Sequence, residues 1–410
     1  MNNTPELLSP AGDLDKMRFG IAYGADAVYM AGTRFGMRAA ATNFDDKALR
    51  EGIAYAHAHG VKCYITVNIM PSNRDLPALP AYLELLQDAG ADALIIADTG
   101  VLRMARRYAP KVPVHISTQT SILNHEAANY WADEGAERIV LARELSLEEI
   151  AEIRAKTPKE LEIEAFVHGA MCISYSGRCL ISQYMTGRDA NHGACAQPCR
   201  WNYSLMEEKR PGEFFPVEED GRGTYLYNSK DMCMIEHVPE LIEAGITSFK
   251  IEGRNKTAYY AACVTGAYRA AIDTYKKDPE NFVLPQFCRD EVNKVSHREY
   301  YTGFYFGNQE NGQHYGDSQY IREYEVVGMP VECDDSGKAV FALKNRFFDG
   351  EELELIQPGQ APYVFRAENV TDDEGTKREL FNVPQMRVHF AFPFKVSEWA
   401  ILRKVKERPE

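Results

Sequence analysis

Four cysteines fall within 28 residues of this chain: Cys172, Cys179, Cys195 and Cys199, spaced C-x6-C-x15-C-x3-C. Buried structural cysteines are chosen as small hydrophobes and scatter, so four together point to metal or redox chemistry. Four thiolates complete the ligand set of either a tetrahedral zinc or an iron–sulfur cluster. Zinc sites usually pair two short knuckles, and here only Cys195–Cys199 is short, which tilts the spacing towards iron–sulfur. Gly169, Gly177, Gly187 and Gly193 give the segment the backbone freedom to fold its thiols together. Cys233, in the run NSKDMC, is a fifth candidate ligand or a buried thiol at a helix start. Cys63, Cys263, Cys288 and Cys333 stand alone and read as packing.

A second set of polar residues ends short apolar runs: Asn68, Asp98, Gln119, Arg143, His168, Lys250, Glu252 and Arg254. Arginine or lysine in such a place suits a carboxylate or phosphate, arginine with bidentate geometry. The three charges of KIEGR (250–254) close a buried strand and need partners, and Lys250, Glu252 and Arg254 join His168 and Arg178 as the candidate catalytic residues. Glu252 and Arg254 could equally pair with each other, and His168 could simply cap its strand. Arg178, beside Cys179, either donates to a cluster or forms a structural ion pair. The chain lacks G-x-S-x-G, H-E-x-x-H, a P-loop and a G-x-G-x-x-G after a strand, so no hydrolytic nucleophile with its base is visible.

The elements that must position these residues alternate regularly. Apolar runs at 6–10, 27–32, 61–69, 93–98, 112–118, 138–143, 161–169 and 248–253 read as strands buried on both faces. Between them, Asp13 and Asp45 are plausible helix N-caps, and Ser146 with Glu149 fits a capping box. Gly24, Gly60, Gly90, Gly135 and Gly245 mark helix ends. Eight strand–helix units predict a (β/α)8 TIM-like barrel over 1–280, with an open doubly wound sheet as the alternative. The cysteines then fall in an insertion at about 168–232, just after the seventh strand's C-terminal end, where this fold builds active sites. From 281 to 410, short alternating runs predict a small all-β barrel or sandwich.

The bulk numbers fit a soluble enzyme: 410 residues, 45% hydrophobic and 26% charged. No run is long enough to span a membrane, and the start lacks signal-peptide character, so a cytoplasmic location is expected. Thiols in a reducing compartment serve metals or catalysis rather than disulfides. A net charge of −14 argues against a non-specific nucleic-acid binder, leaving at most a local patch near 199–210.

The runs FVHGAMCISYSGRCLIS (166–182), GACAQPCRWNY (193–203), NSKDMC (228–233) and SFKIEGRNKTAYY (248–260) resemble the peptidase U32 family, as does the opening ELLSPAGDLDKMRFGIAYGADAVY. Its name, collagenase-like peptidase, implies proteolysis, yet several members are oxygen-independent hydroxylases with a 4Fe–4S cluster on four cysteines. RPGEFFPVEEDGRGTYLYNSKD (210–231) is similar to the group that hydroxylates tRNA. That resemblance implies Cys172, Cys179, Cys195 and Cys199 as cluster ligands, tRNA as substrate, 5-hydroxyuridine at the wobble position as product and prephenate as hydroxyl source. Cys233 is not needed in that pattern. Other relatives act on ribosomal RNA or a quinone precursor.

Overall fold

The computed structural model describes residues 4–37, 42–172, 179–198, 219–220, 223–224, 230–307 and 320–406. Arg178, Cys199 and the 199–215 segment lie outside them.

Seven parallel strands follow one another in the sheet: β1 (Glu6–Pro10), β2 (Ala27–Ala31), β3 (Lys62–Val67), β4 (Ala93–Ile96), β5 (Val114–Ile116), β6 (Arg138–Val140) and β7 (Glu162–Ala170). A small ribbon, β8 (Glu219–Asp220) with β9 (Gly223–Thr224), and the short β10 (Asp231–Cys233) precede β11 (Ser248–Ile251). β11 bonds in parallel to both β1 and β7, which closes an eight-stranded barrel and rules out the open sheet. Every residue of β2 and β4 is buried, because the barrel interior covers one face and the helices the other.

Those helices are α1 (Leu14–Ala22), α2 (Asp46–Ala58), α3 (Leu79–Ala89), α4 (Thr99–Tyr108), α5 (His125–Asp133) and α6 (Leu147–Ala155). After α7 (Ile181–Thr186) in the insertion come α8 (Val238–Glu243) and the long α9 (Ala258–Lys277). Asp13, Asp45 and Thr257 accept from the third helical N–H as N-caps, and Ser146 with Glu149 forms the capping box.

Although the sequence pattern changes near 280, the next elements still belong to the barrel. α10 (Gln286–Asn293) packs on α9, and β12 (Tyr300–Tyr301) pairs with β10, which pairs with the end of β7. The remaining strands are β13 (Tyr324–Cys333), β14 (Lys338–Leu343), β15 (Phe347–Phe348), β16 (Glu352–Ile356), β17 (Tyr363–Arg366), β18 (Thr371–Asp372), β19 (Leu380–Phe381), β20 (Arg387–Ala391) and β21 (Ile401–Val405). Seven of them form one antiparallel sheet in the order β17-β16-β21-β13-β14-β20-β18, over a core rich in phenylalanine.

A buried charge network joins this sheet to the barrel. Arg403 on β21 donates to Glu291 on α10 at 2.6 Å, to Glu354 on β16 at 2.9 Å and to the Tyr259 hydroxyl at 3.1 Å. Among the described residues, no helix is long and apolar enough to cross a membrane.

Candidate active site

At the C-terminal ends of the strands, one cavity collects residues from most of the barrel and from the insertion. Asn68, Gln119, Arg143, Lys250, Glu252 and Arg254 line it, together with Cys172, Cys179 and Cys195. Lys250 lies on β11, Glu252 and Arg254 lie on the loop that follows it, and all three line the cavity. Asp98 instead caps α4, accepting from Val101 N–H at 2.9 Å.

His168 does not reach this cavity. β7 and β11 pair Phe166 with Lys250 and then His168 with Ile251, so β7 carries one extra residue at this point. Such a bulge shifts the inward–outward phase by one, and His168 moves from the lumen to the outer face. There its ring packs among Tyr260, Tyr268 and Tyr300, with Tyr300 Oη 3.3 Å from Nε2. Burial, reinforced by the charges of His297 and Lys256, pushes its pKa down to about 3, so the ring is neutral.

Cys233 lies opposite His168 on β10 and is also absent from the cavity lining. Burial pushes its thiol up to about 12, so it stays protonated in the protein interior.

The cavity wall formed by the insertion is tied to the barrel and to itself. Met70 N–H donates to Asn191 C=O at 3.1 Å, and His192 lies between Asp189 and Asp75. Ser182 Oγ donates to Arg188 C=O at 2.8 Å and accepts from Ala196 N–H at 3.0 Å, holding the loop that carries Cys195. Cys195 Sγ accepts a hydrogen bond from Gln197 N–H at 3.4 Å. None of Cys172, Cys179 and Cys195 is in a disulfide. Among the described residues, no three His, Cys, Asp or Glu side chains stand close enough to hold a metal ion together.

Three cations line the same cavity. Arg254, 3% exposed, donates to Thr66 Oγ1 at 3.5 Å and to Met37 C=O. Arg143, 7% exposed, donates to Ala170 C=O at 2.9 Å and lies over the Phe166 ring. Lys250 pairs with Glu164, which also accepts from Arg138; Arg138 in turn reaches Glu6. Gln119 accepts from Ser117 Oγ at 3.3 Å, while its buried amide nitrogen has no partner among the described residues.

The Glu6–Arg138–Glu164 chain was not singled out from sequence. A charge inside a strand buried on both faces is the signal that would have found it, since it needs an internal partner. Tyr29 and Thr66 were also missed, being indistinguishable in sequence from ordinary strand residues.

Residues 12–315 match the model of peptidase family U32, and residues 322–403 match that of the U32 C-terminal domain. The chain belongs to peptidase family U32. Within the family it is similar to tRNA hydroxylation protein P1 of Bacillus subtilis, at 39% identity over 404 residues that cover 98% of this chain and 95% of the relative. Similarity to tRNA hydroxylation protein P of Escherichia coli is 38% over 419 residues, covering 90% of each chain. A third relative, named a 23S rRNA 5-hydroxycytidine synthase of Escherichia coli, is 40% identical over 332 residues, covering 80% of this chain and 48% of the relative.

Proposed function

We propose that this chain is an oxygen-independent RNA hydroxylase that makes 5-hydroxyuridine at the wobble position of tRNA, in the cytoplasm, with prephenate as hydroxyl source. Its cofactor in this reading is a 4Fe–4S cluster on Cys172, Cys179, Cys195 and Cys199. The observation that carries the reading is the meeting of thiols and buried cations in one cavity, lined by Cys172, Cys179 and Cys195 together with Arg143 and Arg254.

The donor set suits the cluster. Thiolates are its usual ligands, and the Gln197 N–H on Cys195 sulfur offsets thiolate charge. When bound, the cluster supplies one-electron redox chemistry at the cavity wall. The chain's own residues do the rest. Arg254 and Arg143 bind the carboxylates of the co-substrate, with the open Gln119 amide as a further donor. Glu252, 3.4 Å from the Tyr29 hydroxyl, is the cavity's carboxylate and takes the proton released from the base.

The tRNA relatives are matched over nearly their whole length and the ribosomal RNA relative over about half, which favours tRNA. Proteolysis is disfavoured on a specific ground. No histidine is found among the described lining residues, so the cavity thiols and hydroxyls lack the base that a serine or cysteine peptidase uses.

The test is a Cys179→Ala variant as the sole copy in cells, with tRNA nucleosides read by mass spectrometry and iron and sulfide assayed in anaerobically purified protein. Loss of 5-hydroxyuridine together with the metal is expected. Undiminished 5-hydroxyuridine would sink the proposal.

A further inference from the structure

A second depression, of about 850 Å³, runs between the barrel rim and the C-terminal sheet. Its barrel side is the loop that follows β11, including Lys256. The opposite side is Tyr320, Arg322 and the start of β13, with Lys344 beyond β14. Cys195 and Glu252 line both this groove and the reaction cavity, so the two are continuous.

The groove's charge runs against that of the molecule. In a chain of net charge −14, its described lining carries Arg188, Lys256, Arg322 and Lys344 against a single carboxylate, Glu252. At its centre the Tyr320 ring meets Lys256 Nζ at 4.3 Å and the guanidinium groups of Arg298 and Arg322 at 4.7 and 5.7 Å. Ser296 anchors the floor, accepting from Lys256 Nζ at 2.9 Å and from Arg322 Nε at 3.1 Å. The Arg403 network fixes the two walls relative to each other, so the groove is preformed.

Cations spaced along a groove with an aromatic ring among them suit a single nucleic-acid strand, phosphates on the charges and bases on the ring. A base cannot reach a buried cavity from within a helix, so the strand must be unpaired where it enters. We infer that this groove between barrel and C-terminal sheet is the docking site for the unpaired RNA loop, presenting one base past Cys195 and Glu252 into the cavity. The inference rests on the RNA-hydroxylase reading above. It also accounts for an acidic protein binding RNA.

The experiment uses the full-length protein, purified without oxygen, and a fluorescein-labelled RNA stem-loop with an unpaired uridine, read by anisotropy. Arg322 and Lys344 are exposed and outside the reaction cavity, so the double variant Arg322→Glu/Lys344→Glu is expected to keep its unfolding midpoint. Its affinity should fall at least tenfold near 0.1 M salt, and the slope of log K against log salt should flatten by roughly 1.5, about 0.7–0.9 per lost phosphate contact. Tyr320→Ala should weaken binding at unchanged salt slope. The same variants should lower tRNA hydroxylation in cells.

Wild-type affinity in the double variant, alongside normal hydroxylation by the parent protein, overturns the groove and leaves the functional reading standing. A parent protein that neither binds the stem-loop nor modifies tRNA overturns both. Loss of binding to a poly-glutamate peptide, with RNA binding intact, assigns the groove to an acidic protein and overturns the RNA proposal.

Discussion

Lys250 Nζ lies 2.5 Å from Glu164 Oε1 inside the barrel, with 5% of the lysine side chain and none of the glutamate exposed. Arg138 holds the other oxygen of the same carboxylate at 3.1 Å. Lys250 therefore looks both ways: its ammonium faces the reaction cavity, yet its charge is already matched from below. The two arginines, Arg143 and Arg254, line the same cavity and carry the planar guanidinium fork that suits a carboxylate, so they are the stronger candidates to meet an incoming anion.

This division of labour is testable with two conservative changes. Lys250→Met strips one partner from a fully buried carboxylate, and should lower stability by about 3 kcal/mol, the low end for a broken buried pair because Arg138 remains. Arg254→Lys keeps the charge but loses the planar fork. It should cost about tenfold or more in kcat/KM for the carboxylate co-substrate with a small change in the urea midpoint. Urea titration and an anaerobic turnover assay on both variants decide the matter. A stable but inactive Lys250→Met would reverse the assignment.

Gln119 offers the opposite trade. Its amide nitrogen is buried without a partner among the described residues, and an unmade hydrogen bond of that kind costs about 1–3 kcal/mol. Gln119→Leu has similar volume and no polar demand, so it should leave stability unchanged or raise it by about 1 kcal/mol while KM for the co-substrate rises. Thermal unfolding and KM measured on the same preparation check this. A variant that loses stability and keeps its KM would show that the amide serves the fold.

The barrel was legible in the sequence because each strand is covered on both faces and so reads as an unbroken apolar run. Helix ends were legible because Asp13, Asp45, Ser146 and Gly24 do local work that local sequence reveals. Lys250, Glu252 and Arg254 were legible because three charges closing a buried strand need partners. His168 did not, because one extra residue in β7 reverses the alternation and nothing in FVHG announces it. β10 and β12, three and two residues long, are too short for any periodicity to register. The groove joins Lys256 to Lys344 across 88 positions, a juxtaposition that depends on how the C-terminal sheet docks.

The neutral burial of His168 gives stability a pH dependence of known sign. Its folded pKa, about 3, lies far below the ordinary histidine value of 6.5. Above 6.5 neither state holds the proton, and its contribution is fully present. As pH falls from 6.5 towards 3 the unfolded chain gains a proton that the folded ring refuses, so stability declines by up to about 1.4 kcal/mol per pH unit. Buried His115 is depressed in the same direction and adds to the trend. Urea midpoints between pH 7 and 5 should therefore slope downward, and His168→Asn should flatten the slope. An identical slope in the variant would mean the ring is not buried as described.

Gly169 sets the distance between β7 and the loop bearing Glu252. At φ +107 its backbone occupies a region that favours glycine, and a β-carbon there would lie 2.4 Å from the Glu252 carbonyl oxygen. That oxygen is backbone and cannot swing aside, so Gly169→Ala must displace the Glu252 segment itself. Gly60, after α2, is the natural control, with φ +72 and nothing within 4 Å of a β-carbon. Gly60→Ala should cost about 1 kcal/mol of stability through its backbone alone and leave tRNA hydroxylation intact. Gly169→Ala should cost more, about 2–3 kcal/mol, and should also lower hydroxylation. Unfolding midpoints and nucleoside analysis on the pair separate backbone strain from displacement of Glu252, and equal effects at the two glycines would refute the close approach.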